Sequence, residues 1–303
     1  MRPLPRSVRP IATAAAATLA LGLLAGCGDD NDGKTGDDPS SSSGASESAD
    51  RTTEASEDAT TDDDAQVVPA YYIGDTPQGE RLFREFTQVD GMDPLVGAGA
   101  ALTQGDPVDP DYRTLWPKGS FDSITQTADA IEVTLADDGW LKAGSLDKAQ
   151  ARLAVQQLVY TLQGVAGKRL PVQVTVDGKP APTLLGIDAS NGLKAAPELD
   201  VMALVNVTEP AQGATVSSTF TATGRASSFE ANVPWEIQDG SGAVVLNGST
   251  TAEGWMDKLY PWEAKVDASS LEPGSYTFVA RTDDPSEGEG GGPTEDTKKF
   301  TIE

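Results

Sequence analysis

The sequence predicts two unlike domains: an α+β domain of strands with two helices over residues 65–188, and an all-β sandwich over residues 201–303. Three observations predict them. Apolar patterning is missing through the acidic stretch before Val67 and starts abruptly there. The first half then mixes runs of period two with one long run of helical period. The second half offers seven short alternating runs separated by turn residues, and no convincing helix.

The N-terminus comes first. Arg2, Arg6 and Arg9 precede an apolar stretch from Ile11 to Leu24, broken by Thr13, Thr18 and Gly22. A basic segment followed by an apolar one of this length reads as a secretory signal, and it is short for a membrane-spanning helix. The stretch ends in Leu24-Ala25-Gly26-Cys27, which resembles the bacterial lipobox. That resemblance implies that residues 1–26 are a lipoprotein signal peptide, cut before Cys27. It also implies that the Cys27 sulfur carries a diacylglycerol and that the mature chain is extracytoplasmic and lipid-anchored to the cell membrane. An ordinary signal with a chance cysteine, or an uncleaved anchor, is the competing reading. The agreement of basic region, apolar region, box and lone cysteine favours the lipid. Several acyl chains, at about 0.8 kcal/mol per buried CH₂, would hold the protein stably. Without residues 1–26 and their three arginines, the net charge goes from −25 to −28.

Residues 27–64 read as the lipidated cysteine and a disordered acidic tether. From Gly28 to Asp64 there are 13 Asp or Glu, 12 Ser or Thr, and no Leu, Ile, Val or aromatic residue. Such a stretch buries too little apolar surface to offset its ordering entropy. It is expected to lift the folded part off the membrane.

In the first domain, Val67–Ile73 is apolar on both faces, as in a buried strand. A turn over Gly74–Gly79 leads to a strand at Arg81–Phe86. Pro94–Leu102 is expected to be a short helix, with Asp93 as N-cap, Pro94 at its first position and Gly105 beyond its end. A Pro/Asp-rich loop from Gly105 to Tyr112 and the turn Trp116-Pro117-Lys118-Gly119 follow, then strands at Ser123–Thr127 and Ala130–Leu135. The longest helix is expected over Leu146–Gln163, with Ala151, Val155, Leu158, Val159 and Leu162 on one face, Ser145 as N-cap, and Gly164 and Gly167 ending it. Val172–Val176 is the last strand of this half.

Taken in that order, these pieces resemble the GerMN domain named after the spore-germination and sporulation protein GerM. The resemblance rests on Val67-Val68-Pro69-Ala70-Tyr71-Tyr72-Ile73, the Trp116-Pro117-Lys118-Gly119 turn, the Leu158-Val159-Tyr160-Thr161-Leu162 segment and Val174-Thr175-Val176-Asp177-Gly178. No catalytic residue is established for that family, so the resemblance carries none over.

Residues 189–200 read as a linker. Beyond it, strands are expected at Met202–Val207, Thr219–Ala226, Val233–Gln238, Ala243–Ser249, Trp262–Asp267, Ser275–Ala280 and Lys299–Ile302. Seven short strands in about 100 residues point to an immunoglobulin-like sandwich. The segments Val207–Val216, Thr223–Ala226, Phe229–Ala231, Trp235–Asp239, Pro261–Glu263 and Glu272–Tyr276 resemble the immunoglobulin-like domain of bacterial spore-germination proteins.

Composition narrows the chemistry. The chain has 303 residues, 47 acidic and 22 basic, no histidine and one cysteine. A net charge of −25 argues against nucleic acid as a partner. Absent histidine removes Ser-His-Asp and Cys-His nucleophiles and His-based zinc sites. One cysteine removes internal disulfides and Cys-rich metal sites. No cofactor or metal is expected.

Carboxylates remain. Asp106, Asp109 and Asp111 share one loop, and an acid pair is all that a glycosidase strictly needs; in so acidic a chain such pairs also arise by chance. Asp283, Asp284, Glu287, Glu289, Glu295 and Asp296 surround a Gly-rich hairpin, but their spacing is not that of an EF-hand, and a solvated acidic loop is the expected reading. Ser145 and Lys148 lie three apart, a spacing that the helix cap explains. Trp235 and Trp262 are expected in the sandwich core, whereas Trp255, after Gly254, is the candidate for ligand contact at the surface.

These readings converge on a non-enzymatic binding or scaffolding module at the cell envelope, related to germination and sporulation proteins. Its partners are expected to be the membrane through the lipidated N-terminus, and envelope proteins or cell-wall glycan. The alternative is a peptidoglycan-acting enzyme, or an accessory to one, that uses the loop carboxylates.

Overall fold

A strand whose central side chains are buried on both faces opens the fold. In the computed structural model, which describes residues 65–285, 288 and 291–303, β1 (Ala65–Thr76) and β2 (Gly79–Asp90) form an antiparallel hairpin. Val68, Ala70, Tyr71, Tyr72 and Ile73 are all buried. The turn is tighter than the sequence suggests. Gly74 and Asp75 stay in the strand, and the chain reverses between Thr76 and Gly79, where the Gly79 φ of 99° suits glycine.

Helix α1 (Pro94–Thr103) begins as expected, with the Asp93 carboxylate accepting from the Leu95 N–H at 2.9 Å. β3 (Phe121–Gln126) pairs antiparallel with β4 (Ile131–Leu135), and β4 pairs parallel with β5 (Val172–Val176). The parallel pair is joined by α2 (Lys148–Ala166), whose Ala154, Leu158 and Leu162 are buried in the first core. The cap of α2 corrects the sequence reading. Asp147, not Ser145, accepts from the N–H groups of Ala149 and Gln150, and the Gln150 side chain reaches back to complete a capping box. Gly164 does not end the helix; it lies inside it against Pro69, and Gly167 takes the left-handed cap at φ 64°. Asp147→Ala should therefore cost ~1 kcal/mol, read as a lower urea midpoint, and Ser145→Ala should leave the midpoint unchanged.

Short strands β6 (Lys179–Pro180), β7 (Thr183–Leu184) and β8 (Ile187–Asp188) extend this half beyond β5. The segment that follows is packed: Ala189 and Leu193 are buried in the first core, and the Leu193 and Val172 backbones exchange hydrogen bonds at 2.8 Å. Helix α3 (Glu198–Val201) leads into the second half, where the Glu198 carboxylate pairs with Arg225 and Arg169.

The second half is a β-sandwich. β9 (Val205–Glu209), β11 (Thr219–Ala226) and β14 (Tyr260–Asp267) form one sheet, in the order β14-β11-β9. β10 (Ala214–Val216), β12 (Asn232–Gln238), β13 (Val244–Thr251), β15 (Gly274–Arg281) and β16 (Glu295–Ile302) form the other, in the order β10-β16-β15-β12-β13. β10, parallel to β16, is an eighth strand that the pattern of seven omits. Trp235 and Trp262 are both in the core, stacked on Phe278 with ring centroids 5.9 and 6.5 Å away.

The two halves meet through a third apolar cluster that combines Tyr71, Ile73, Leu82, Leu153 and Tyr160 with Met202 and Leu259. Among the described residues, no helix is long and apolar enough to cross a membrane.

Candidate functional site

Beside that apolar contact lies a buried cluster of charges, built from the Pro/Asp-rich loop and from β16. Phe300 and Ile302 of β16 face the core, and the two-residue period of a strand puts Lys298 and Asp296 on the same inward face. The loop is fixed by β2, because the Glu85 carboxylate accepts from the N–H groups of Val108 and Asp109, each at 2.9 Å. Asp109 caps its own turn, accepting from the Asp111 N–H at 3.0 Å. The Asp109 side chain that results is 1% exposed.

Lys298 sits at the centre of the cluster, 4% exposed. Its Nζ donates to Asp109 Oδ2 at 2.6 Å, to the Tyr112 hydroxyl at 2.5 Å and to Asp296 Oδ1 at 3.0 Å. Those are the three hydrogen bonds that an ammonium can make. Asp296 is satisfied in turn. Its Oδ2 accepts from the Val207 N–H at 2.6 Å and from Asn206 Nδ2 at 2.9 Å, and its Oδ1 also accepts from the Tyr112 hydroxyl at 2.5 Å. Two carboxylates therefore face one cation inside the protein.

The electrostatics follow from burial. Desolvation pushes Asp109 above the ordinary carboxylate range and outweighs the attraction of Lys298. Burial pulls Lys298 down, but Asp296 and Asp109 together overcome it and raise its pKa. Burial, then the charge of Asp296, drives Tyr112 well above the usual phenol value.

The other candidates fall elsewhere. Asp106 is exposed, and the Asp111 carboxylate accepts from the Thr297 hydroxyl at 2.8 Å. The three loop acids thus form no open acid pair, and the deepest of them is held by Lys298. Asp296 and Glu295 are not in an acidic loop as expected; both lie in β16, Asp296 buried and Glu295 3.6 Å from Arg281. Asp283 accepts from Asn232 Nδ2 and Asp284 from the Gly288 N–H, while Glu287 and Glu289 lie outside the described residues. Among the described residues, no group of three or more acidic or cysteine side chains is arranged to hold a metal ion. Ser145 and Lys148 are exposed at the start of α2. Trp255 is 36% exposed and meets Phe229 edge-on at 5.1 Å, next to Met256, which is 68% exposed. Cys27, the signal and the tether lie outside the described residues.

Sequence reasoning missed Lys298, Tyr112 and Asn206. For Lys298 and Asp296 the signal was present: they lie two and four residues before Phe300, on the same strand face.

Comparison with known proteins matches each half separately. Residues 69–182 match the family model described as sporulation and spore germination. Residues 204–289 match that of the immunoglobulin-like domain of bacterial spore germination. Asp296 and Lys298 fall beyond the second match. No curated protein matches the chain. Among solved structures, the tandem GerMN domains of the sporulation protein GerM from Bacillus subtilis align at 13% identity and a TM-score of 0.35, over 67% of this chain and 62% of that one. CopC from Methylosinus trichosporium aligns at 20% identity and a TM-score of 0.23, over 33% of this chain and 93% of that one. A lytic polysaccharide monooxygenase from Jonesia denitrificans aligns at 13% identity and 0.21, over 31% and 60%.

Proposed function

We propose, from the premise that this chain joins a sporulation and spore germination domain to the immunoglobulin-like domain of bacterial spore germination, that it is a membrane-tethered, extracytoplasmic scaffold and not an enzyme. Neither domain is of a known enzyme type. The observation that carries the reading is the fate of the loop acids. Asp109, the carboxylate best placed to serve as an acid or base, is buried against Lys298 and ties the two halves together. A scaffold gains from such a tie, because it fixes the spacing of surfaces that each half presents. The exposed pair Phe229 and Trp255 offers one such surface, suited to a neutral glycan ring or an envelope protein. The strongly acidic chain should avoid anionic polymers, so its contacts are with protein or neutral glycan.

Anchoring comes from the Leu24-Ala25-Gly26-Cys27 sequence. Cys27→Ala should release the protein from membrane fractions or leave it as an uncleaved precursor. A wild-type protein that stays in the soluble fraction with a free thiol would overturn the anchored reading. Release of wall fragments by the purified protein, abolished in Asp109→Asn, would replace the scaffold with the enzyme.

A further inference from the structure

We infer that Lys298 and Asp109 condense, without any other reactant, into an amide that joins the two halves of the protein covalently. The Lys298 amine nitrogen lies 2.6 Å from Asp109 Oδ2, a second carboxylate lies 3.0 Å from the same nitrogen, and all three side chains are buried. The two residues are 189 apart in sequence, so the bond would close a long loop and weld the Pro/Asp-rich loop to the last strand.

Asp109 and Asp296 have unequal surroundings, which assigns their roles. Asp296 accepts from Val207, Asn206 and Tyr112 besides Lys298, so both of its oxygens are engaged as acceptors and one of them stands 3.0 Å from the amine, placed to receive its proton. Asp109 has the Asp111 N–H on one oxygen and Lys298 on the other. Burial favours its protonated form, which is the electrophilic one. In the reaction, Asp109 enters as the acid with a proton taken from solvent, and Asp296 takes the first proton of the ammonium. The nitrogen lone pair then forms the C–N bond at Asp109 Cγ, and the C–O bond to the acid hydroxyl breaks. The hydroxyl leaves as water with the second ammonium proton, and the third stays on the amide nitrogen. Two of the reacting groups, Lys298 and Asp109, are thus consumed, while Asp296 ends protonated and later releases its proton.

Two physical effects drive the condensation. Well-oriented intramolecular partners react with effective molarities of about 10⁵–10⁸ M, far above the concentration of the water that would reverse the step. The product is also cheaper to bury, because a neutral amide replaces an ammonium among carboxylates and still offers one donor and one acceptor to Asp296 and Tyr112. The slow step is loss of the ammonium proton, since the charge of Asp296 favours the charged lysine.

The inference rests on the buried cluster and not on membrane anchoring, so its test is separate. Full-length protein, purified folded, is digested with trypsin and its peptides are weighed. Without the link, the digest contains Glu85–Arg113 and Thr282–Lys298 as separate peptides. With it, trypsin cannot cut after Lys298. The expected product is a branched species of Glu85–Arg113 and Thr282–Lys299, one water lighter than their sum. Lys298→Met and Asp109→Ala should abolish the branched species. Asp296→Asn, which keeps an acceptor for the Val207 N–H, should fold and give at least tenfold less of it. Recovery of the two peptides separately from folded wild-type protein, with no branched species after prolonged incubation, overturns the inference. Full linkage in folded Asp296→Asn overturns the role of Asp296. The wild-type digest decides the matter even if a variant fails to fold.

Discussion

Replacing Asp296 with alanine is expected to destabilise the protein by about 3–5 kcal/mol, the cost of breaking a buried ion cluster from one side. The change removes the acceptor for the Val207 N–H, Asn206 Nδ2 and the Tyr112 hydroxyl, and none of these donors can reach bulk water without disturbing the fold. It also leaves Lys298 with Asp109 as its single carboxylate partner. The amide that the cluster is inferred to form would be lost with it. Lys299→Ala, one residue beyond Lys298 on the exposed face of β16, should change stability by no more than about 0.5 kcal/mol. Urea unfolding followed by tryptophan fluorescence would read both, with a fall in midpoint at constant slope for Asp296→Ala. Equal midpoints for the two variants would mean that the cluster carries no stability.

Much of this fold could be read locally, and what failed shows where local reading stops. The β1 run and the α2 face were legible because a buried strand and an amphipathic helix leave unambiguous periods. The cap of α2 was misread because Ser145 and Asp147 are both good caps. The spacing of Asp147 to Gln150 distinguished them, since a glutamine at the third helical position completes a capping box. Gly164 looked like a stop, yet it is in the helix because β1 runs close by: a Cβ there would lie 2.9 Å from Pro69. The acidic segment near the C-terminus misled for a different reason. Charge density along a segment suggests exposure, whereas Asp296 lies on the inward face set by Phe300 and Ile302. The partner of Lys298 was beyond reach in any case. No local pattern names a loop aspartate in the other half, because the two are brought together by packing alone.

The sandwich tryptophans lead to the second large effect. Each Trp is paired across strands with a glycine, Trp262 with Gly224 and Trp235 with Gly248, and each indole lies over the space that a side chain would fill. The two glycines are not equivalent. A Cβ on Gly248 would lie 2.4 Å from the Trp235 ring, whereas one on Gly224 would lie 2.0 Å from the Asn206 carbonyl oxygen as well as 2.6 Å from the Trp262 ring. A ring can tilt, but the Asn206 carbonyl belongs to β9, whose register already shifts beside Gly224. Gly224→Ala must therefore push β9 from β11, at a cost near the upper end of overpacking, about 3 kcal/mol. Asn206 also donates to Asp296, so the same displacement should loosen the charge cluster and lower the yield of the Lys298–Asp109 branched peptide. Gly240→Ala provides the control: its added Cβ meets nothing within 4 Å, and its stability should match the wild type or exceed it by up to about 1 kcal/mol. The expected order of urea midpoints is Gly240→Ala highest, Gly248→Ala between, and Gly224→Ala lowest. A Gly224→Ala protein as stable as Gly240→Ala would show that β9 yields at little cost, and that the contact between β9 and Asp296 does not depend on the close approach at Gly224.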